Sequence, residues 1–90
     1  GDMMILSKLR RGKFSLVEEK IFPGAKGVGV AIKDLGLPLN CTISGIIRRG
    51  EMILPRGITE LQEEDEVLAL VDDEAAVELA RLLGRPTDFK

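Results

Sequence analysis

The sequence predicts an α+β fold, a four-stranded, mainly antiparallel sheet with a short helix after the first strand and a helix at the C-terminal end. A hairpin signal at residues 49–50 separates two β-rich runs, and residues 67–71 are uniformly apolar, as in an interior strand. An amphipathic helical pattern, which either Asp72 or Asp73 can cap, ends at Gly84. The expected element order is β-α-β-β-β-α, preceded by a short N-terminal connector helix.

The first residues are interpreted as a leader to the domain. Residues 1–13 would comprise a cloning remnant and a connector, and a frayed leader explains the same segment equally well. The apolar residues expected on one helical face of the connector are Ile5, Leu6 and Leu9. The domain itself is assigned to residues 14–84, and residues 85–90 are interpreted as a loose tail.

Residues 14–22 predict the first strand of the domain. Val17, Glu19 and Ile21 would share one face, because side chains alternate along a strand. The strand is expected to end at Pro23, which cannot donate a ladder hydrogen bond.

A glycine-rich turn and a short helix come next. The glycines of residues 24–29 match neither a dinucleotide fingerprint nor a P-loop, so a plain turn is favoured over a phosphate site. An apolar stripe at helical spacing predicts two helical turns over residues 28–35. Gly36 and Pro38 would end this helix.

The hairpin signal lies within residues 42–55, where Arg49-Gly50 predicts a two-residue loop. This register places Ile46 opposite Ile53, and we assign both to the face of the sheet that the helices leave open. The dibasic pairs Arg10-Arg11 and Arg48-Arg49 are both interpreted as solvated, which is favoured over a dedicated anion site. Asp65, before the last strand, is interpreted as a turn-capping side chain.

Composition excludes several functions. The chain has no His and one Cys, Cys41, so it has no zinc constellation and no pair of nucleophile and base, and we expect no enzymatic activity. A net charge of −2 and three Phe argue against a nucleic-acid partner. No apolar run approaches the roughly 20 residues that span a bilayer, and the expected location is the cytoplasm.

The apolar content, 44% of the residues, is high for so small a domain. Two short helices cover about one face of a four-stranded sheet, so the other face would remain as an apolar patch. We expect a symmetric homodimer to cover this patch. The residues assigned to the interface are Ile46, Ile53, Ile5, Leu6 and Leu9.

Four motifs occur in a characteristic order. A Gly precedes the short helix at residues 29–38, and Leu-x-Leu-Pro follows it. Residues 42–57 then carry an Ile-x-x-Ile-Ile-Arg-x-Gly-Glu hairpin that ends in Pro, and an Asp opens the last strand at residues 65–71. Together they resemble the C-terminal domain of TrkA-type proteins, the RCK_C module that regulates potassium transport.

The resemblance implies a regulatory, dimerising, ligand-sensing module rather than an enzyme. Its expected partners are a second copy, a membrane potassium channel or transporter subunit, and an upstream nucleotide-binding domain in cis or in trans. It would then sit at the inner face of the membrane, held by its transporter partner. The alternative is a ligand-free structural or accessory domain of another ion or solute transporter or regulator.

The family also implies a candidate ligand cleft, since some relatives bind cyclic di-AMP between two subunits. The positions that correspond to this cleft are Ile32, Asp34, Leu35, Gly36, Thr42, Ile43 and Pro55. Asp34 matches the family pattern, but Gly36 stands where the pattern has Arg, and Thr42 where it has Asn. Cyclic di-AMP is therefore disfavoured, and no cofactor is expected.

The acidic run at residues 60–66 admits a divalent cation through oxygen ligands, but we favour a solvated loop and assign no metal site. Glu64 stands in this run where the family often has Gly, and a turn at positive φ there would be strained.

Overall fold

The computed structural model describes residues 3–86, which form one antiparallel sheet and one α-helix. The strands follow one another in the sheet in the order β1-β2-β5-β3-β4. A single 3-10 turn, Ile32–Asp34, lies between β2 and β3. No helix in this part of the chain is long and apolar enough to cross a membrane. The elements are β1 (Met4–Leu9), β2 (Phe14–Lys20), β3 (Cys41–Arg48), β4 (Glu51–Ile53), β5 (Glu66–Val71) and α1 (Asp73–Leu83).

The predicted connector helix is wrong, because Met4–Leu9 forms an edge strand that pairs antiparallel with β2. Arg10, Arg11 and Gly12 all have positive φ, so the chain reverses there. A helix of about nine residues is marginal alone, whereas pairing with β2 satisfies the backbone of the segment. The sheet therefore has five strands instead of four.

The predicted helix at residues 28–35 shrinks to the 3-10 turn. Several of its backbone donors bind another loop: Gly29 N donates to Leu61 O at 2.7 Å, and Ile32 N donates to Thr59 O at 2.9 Å. The donors that stay local bind the residue three positions earlier, as Val30 N does with Gly27 O at 3.1 Å, and none forms an α-helical bond. A bridge between Ala31 and Glu60 ties the same two loops together. Residues 21–40 and 55–65 thus form a layer of loops instead of a second helix.

The core lies on one side of the sheet, under α1 and these loops. The assignment of Val17, Glu19 and Ile21 to one face of β2 is confirmed, since each is at most 1% exposed. α1 and the loops contribute further buried residues, and β5 contributes alternate residues. These are Leu35, Leu61, Val67, Ala69, Val71, Ala75, Leu79 and Leu83.

The C-terminal helix is confirmed. Its N-cap is Asp72, whose Oδ1 accepts a hydrogen bond from Ala75 N at 2.9 Å. The Asn40 side-chain amide donates to the other oxygen, Asp72 Oδ2, at 2.8 Å. Asp72 therefore joins the start of α1 to the loop that precedes β3.

The end of α1 is held by the loop after β2. Gly27 N donates to Leu82 O at 2.8 Å, and a Cβ placed on Gly27 would lie 3.1 Å from the same oxygen. Arg85 lies over the Phe22 ring, 4.6 Å from its centroid. A side chain at Gly27 therefore fits only if the Leu82 backbone moves by a few tenths of an ångström.

We expect Gly27→Ala to destabilise the chain by about 1–3 kcal/mol, because the new methyl group presses against a backbone oxygen that cannot swing away. Urea unfolding followed by circular dichroism measures the change. The control is Gly57→Ala, where the added Cβ would lie 3.4 Å from the Lys33 Cβ at an exposed site. Equal stability of the two variants would contradict this account of Gly27.

Candidate functional site

The second face of the sheet has no helix over it, and its residues follow from strand register. Leu68 on β5 pairs with Glu18 on β2 and with Gly45 on β3. Its neighbours along the strand, Val67 and Ala69, are buried in the core, so the Leu68 side chain lies on the opposite face. Leu16, Ile47 and Met52 occupy the same face on β2, β3 and β4. We call Leu16, Ile47, Met52 and Leu68 the open face.

Gly45 lets the side chains of the open face close over the sheet. A Cβ on Gly45 would lie 2.9 Å from Met52 Sδ and 3.5 Å from Leu68 Cδ1. The Met52 side chain therefore lies over Gly45 with Leu68 beside it, while Met52 is still 55% exposed. Leu70 lies on the same side of the sheet, paired with Leu16, and Glu18 and Glu66 lie there as well, paired with Leu68 and Ile47. The open face is therefore a group of apolar side chains with two carboxylates beside it.

The assignment of Ile46 and Ile53 to this face is wrong. Ile46 is fully buried in the core, and Ile53, which pairs with it, packs against the core as well. The cause is a register shift between Ile43 and Gly45, which places Ile43 and Ile46 on the same side although they are three residues apart. An open apolar face exists as expected, but different residues form it.

The other residues assigned to an interface lie on β1. Ile5, Leu6 and Leu9 are 54%, 45% and 43% exposed. In the strand they do not share one face as they would in a helix. Their role in an interface stays a prediction.

The candidate ligand cleft is only partly assembled within one chain. Ile32 and Ile43 both pack against the core, and Pro55 is half-buried. Thr42 pairs with Leu70 and therefore lies on the opposite face of the sheet from Ile43. Register separates the Thr42 and Ile43 side chains.

The turn after the 3-10 helix contributes the remaining cleft positions. Asp34 is exposed, and Gly36 has a φ of 68°, a conformation that favours glycine. Leu35 is buried and lies beside Gly27 in the core. Of this segment, Asp34 is the one side chain with a charge to offer a ligand.

Arg48 and Asp65 form a buried ion pair, so the interpretation of Arg48 as solvated is wrong. Arg48 Nε donates to Asp65 Oδ1 at 2.9 Å, and Arg48 Nη2 donates to Asp65 Oδ2 at 2.8 Å. The side chain of Asp65 is 1% exposed. Hydrogen bonding to the Asp65 carboxylate raises the pKa of the Arg48 guanidinium.

The same pair organises the loops beside the cleft. Asp65 Oδ2 also accepts from Gln62 N at 2.9 Å, which confirms the predicted turn-capping role, and Arg48 Nη2 donates to Glu60 O at 3.0 Å. Glu64 next to it has a φ of 72°, so the strained turn expected there is present. Sequence reasoning missed the ion pair, although a dibasic step at a strand end and an Asp before the next strand were visible.

The reactivity of the one cysteine and the capacity to bind a metal ion also bear on chemistry. Burial raises the pKa of the Cys41 thiol to about 11, and the nearby Asp72 carboxylate adds to the increase. The thiol is therefore protonated at neutral pH and a poor nucleophile. Within residues 3–86 no three acidic, Cys or His side chains converge as a metal site.

The sequence model of the TrkA-C domain matches residues 16–84, which is most of the chain. The chain belongs to the TrkA-C domain family. The match covers α1, the hairpin motif and the sheet apart from β1 and the first two residues of β2.

Two relatives of this TrkA-C domain are potassium uptake proteins. The Trk system potassium uptake protein TrkA homolog of Archaeoglobus fulgidus is 37% identical over 75 residues, and the match covers 83% of this chain. The Trk system potassium uptake protein TrkA of Mycobacterium tuberculosis is 32% identical over 83 residues, with 92% of this chain covered. The TrkA-C domain spans only 17% and 38% of the lengths of these relatives.

Solved structures share the fold. An RCK domain determined with cda superposes with a TM-score of 0.68 at 25% identity and covers 77% of this chain and 97% of its own. The RCK_C domain dimer of S. agalactiae BusR in complex with c-di-AMP gives a TM-score of 0.66 at 17% identity, with 76% and 93% covered. The latter likeness concerns the fold alone.

We expect Arg48→Met to cost about 3–5 kcal/mol, because it leaves the Asp65 carboxylate buried without its cation. The double variant Arg48→Met/Asp65→Asn should regain part of that loss. Urea unfolding of both single variants and of the double variant measures the coupling. Strict additivity of the two substitutions would contradict a coupled buried pair.

The Cys41 thiol of the folded chain should react with a disulfide reagent about 100-fold more slowly at pH 8 than the thiol of the urea-unfolded chain, since its pKa lies about two units higher. The proton is held more tightly in the folded state, so this contribution to stability is intact below pH 9 and is lost as the pH rises towards 11. Reaction at the same rate in both states would show that the site is not buried.

Proposed function

We propose that this TrkA-C domain is a dimerising regulatory module of a potassium transport system. Membership of the family and the names of the two potassium uptake relatives support the system. Because the chain spans a minor part of each relative, the activity of the whole protein belongs to the proposal. In that setting the module acts at the inner face of the membrane, through a transporter partner and an associated nucleotide-binding domain.

The open face carries the proposal. It presents Leu16, Ile47, Met52 and Leu68, and the buried core cluster lies on the other side of the sheet. Soluble proteins rarely leave a large group of apolar side chains uncovered. A second copy is the favoured cover, because an isologous contact matches the same patch to itself, and a protein of the same fold is described as a dimer.

Regulation requires that something favour one orientation of the two subunits. A ligand between subunits can do so only by binding one orientation more tightly than the other. In our proposal Ile32, Ile43 and Pro55 supply the apolar wall of such a site, and Asp34 supplies its charge. Leu35 is buried in the core of the single chain, and its binding role stays a prediction.

A ligand-free assembly domain is the second candidate. Gly36 offers no guanidinium to a phosphate, and the Thr42 side chain lies on the other face of the sheet from Ile43. Calorimetry with cyclic di-AMP at about 100 μM separates the two candidates, since a ligand well above its dissociation constant must bind measurably. Absence of heat with this compound, and with other nucleotides in turn, favours the assembly role.

The Leu68→Glu variant should be monomeric where the parent chain is dimeric. A carboxylate buried against the partner's apolar face would raise the dissociation constant about 100-fold or more. Sedimentation equilibrium from about 1 to about 100 μM protein measures it. The control is Val77→Glu, the same chemical change at a 63% exposed position on the outer side of α1.

A monomeric parent chain throughout that range would refute the proposed dimer. The transport role is tested separately, by rubidium uptake in the source organism with the natural gene replaced by each variant. Uptake should change in Leu68→Glu cells and remain as in the parent in Val77→Glu cells. Dimerisation without any effect on uptake would leave the dimer intact and refute the role in potassium transport.

A further inference from the structure

The β1–β2 hairpin concentrates positive charge in an otherwise acidic chain. Residues 3–17 contain four cationic residues and no acidic residue, whereas residues 18–86 contain eight cationic and thirteen acidic residues. The four cations of residues 3–17 are exposed, and none of them forms an ion pair within residues 3–86. We call Lys8, Arg10, Arg11 and Lys13 the basic tip.

The backbone of the tip is poorly suited to its side chains. Arg10 and Arg11 have φ values of 49° and 59°, in the left-handed region where glycine or asparagine is more stable than arginine. The turn itself is closed by backbone hydrogen bonds, from Gly12 N to Leu9 O and from Lys13 N to Arg10 O. The arginine side chains are therefore not needed to make the turn, and residues in strained conformations often mark functional sites.

Apolar surface adjoins these cations. Leu9, Arg10, Phe14 and Leu70 line an open depression of about 230 Å³. Arg10 also lines a second depression, of about 410 Å³, together with Arg11 and Lys13. The cationic and apolar surfaces thus share Arg10 and form one continuous end of the molecule.

We propose that this end of the domain binds directly to the surface of a membrane rich in anionic phospholipids. Lipid phosphates and carboxylates would lie against the basic tip, while Leu9 and Phe14 enter the boundary between headgroups and acyl chains. Cations beside apolar side chains are the combination that such a surface recognises. Nucleic acid fits less well, because within residues 3–86 Phe14 is the one aromatic side chain at this end and is half-buried.

The test is cosedimentation of the chain with vesicles of about 30% phosphatidylserine in phosphatidylcholine, compared with pure phosphatidylcholine. We expect binding to the anionic vesicles alone, and its loss on going from about 0.1 M to about 0.5 M KCl. The variant Arg10→Glu/Lys13→Glu should partition about 100-fold less, because two cations near the surface become anions.

The matched control is Arg49→Glu/Arg56→Glu, which changes the net charge equally and also places one substitution at positive φ, at Arg49 with a φ of 51°. Urea unfolding confirms that both double variants fold. The control should bind as the parent does. If both double variants lose vesicle binding equally, net charge alone explains the binding, and its assignment to the basic tip is overturned.

Two further outcomes also overturn the proposal. If the parent chain binds neither kind of vesicle, the tip does not recognise a lipid surface, and an acidic protein partner becomes the remaining candidate. If inorganic phosphate at constant ionic strength displaces the chain completely, the site binds a free anion instead of a surface. The basic tip lies outside the open face, but Leu70 of the depression pairs with Leu16, so the apolar part of this site adjoins the surface proposed for the dimer. The vesicle test does not depend on the role in potassium transport.

Discussion

One helix cannot cover both faces of a five-stranded sheet. Five strands about 4.8 Å apart are about twice as wide as a helix of about 10 Å diameter, so even the covered face needs more than α1. Loop residues such as Ile21, Leu35 and Leu61 complete that layer and are almost fully buried. Nothing in residues 3–86 does the same for the opposite face, which leaves Leu16, Ile47, Met52 and Leu68 available for association.

A core built partly from loops is stable only if the buried N–H and C=O groups of those loops have hydrogen-bond partners. Here two loops pair with each other, through Gly29 N to Leu61 O and the bridge between Ala31 and Glu60. The Arg48–Asp65 pair fixes the second loop, because it joins the end of β3 to the carboxylate that caps the turn before β5. Rigidity at the candidate cleft therefore comes from hydrogen bonds and one ion pair, in place of a second helix.

The sequence was sufficient for features that depend on local pattern. The hairpin at Arg49-Gly50, the interior strand β5 and the helix capped by Asp72 depend on turn residues and periodicity, and all three are present. The sequence was insufficient where the structure of a segment depends on a partner far away in the chain. The shift at Ile43 reverses the face of Ile46, and pairing with β2 converts the expected connector helix into β1. A strict alternation rule cannot detect a bulge, and helical spacing cannot report a vacant sheet edge.

That conversion also changes the electrostatics of the molecule. On a helix the cations of residues 8–13 would spread around the axis at about 100° per residue, whereas the hairpin gathers them at one end of the sheet. β5 runs from Glu66, beside the acidic turn, to Val71, which pairs with Ser15 near the basic tip. Six residues of strand separate these ends by about 17–20 Å, so the charges form a dipole along the sheet. Because such a field orients approach to a charged surface before contact, the end that carries Arg10 and Arg11 would meet an anionic surface first.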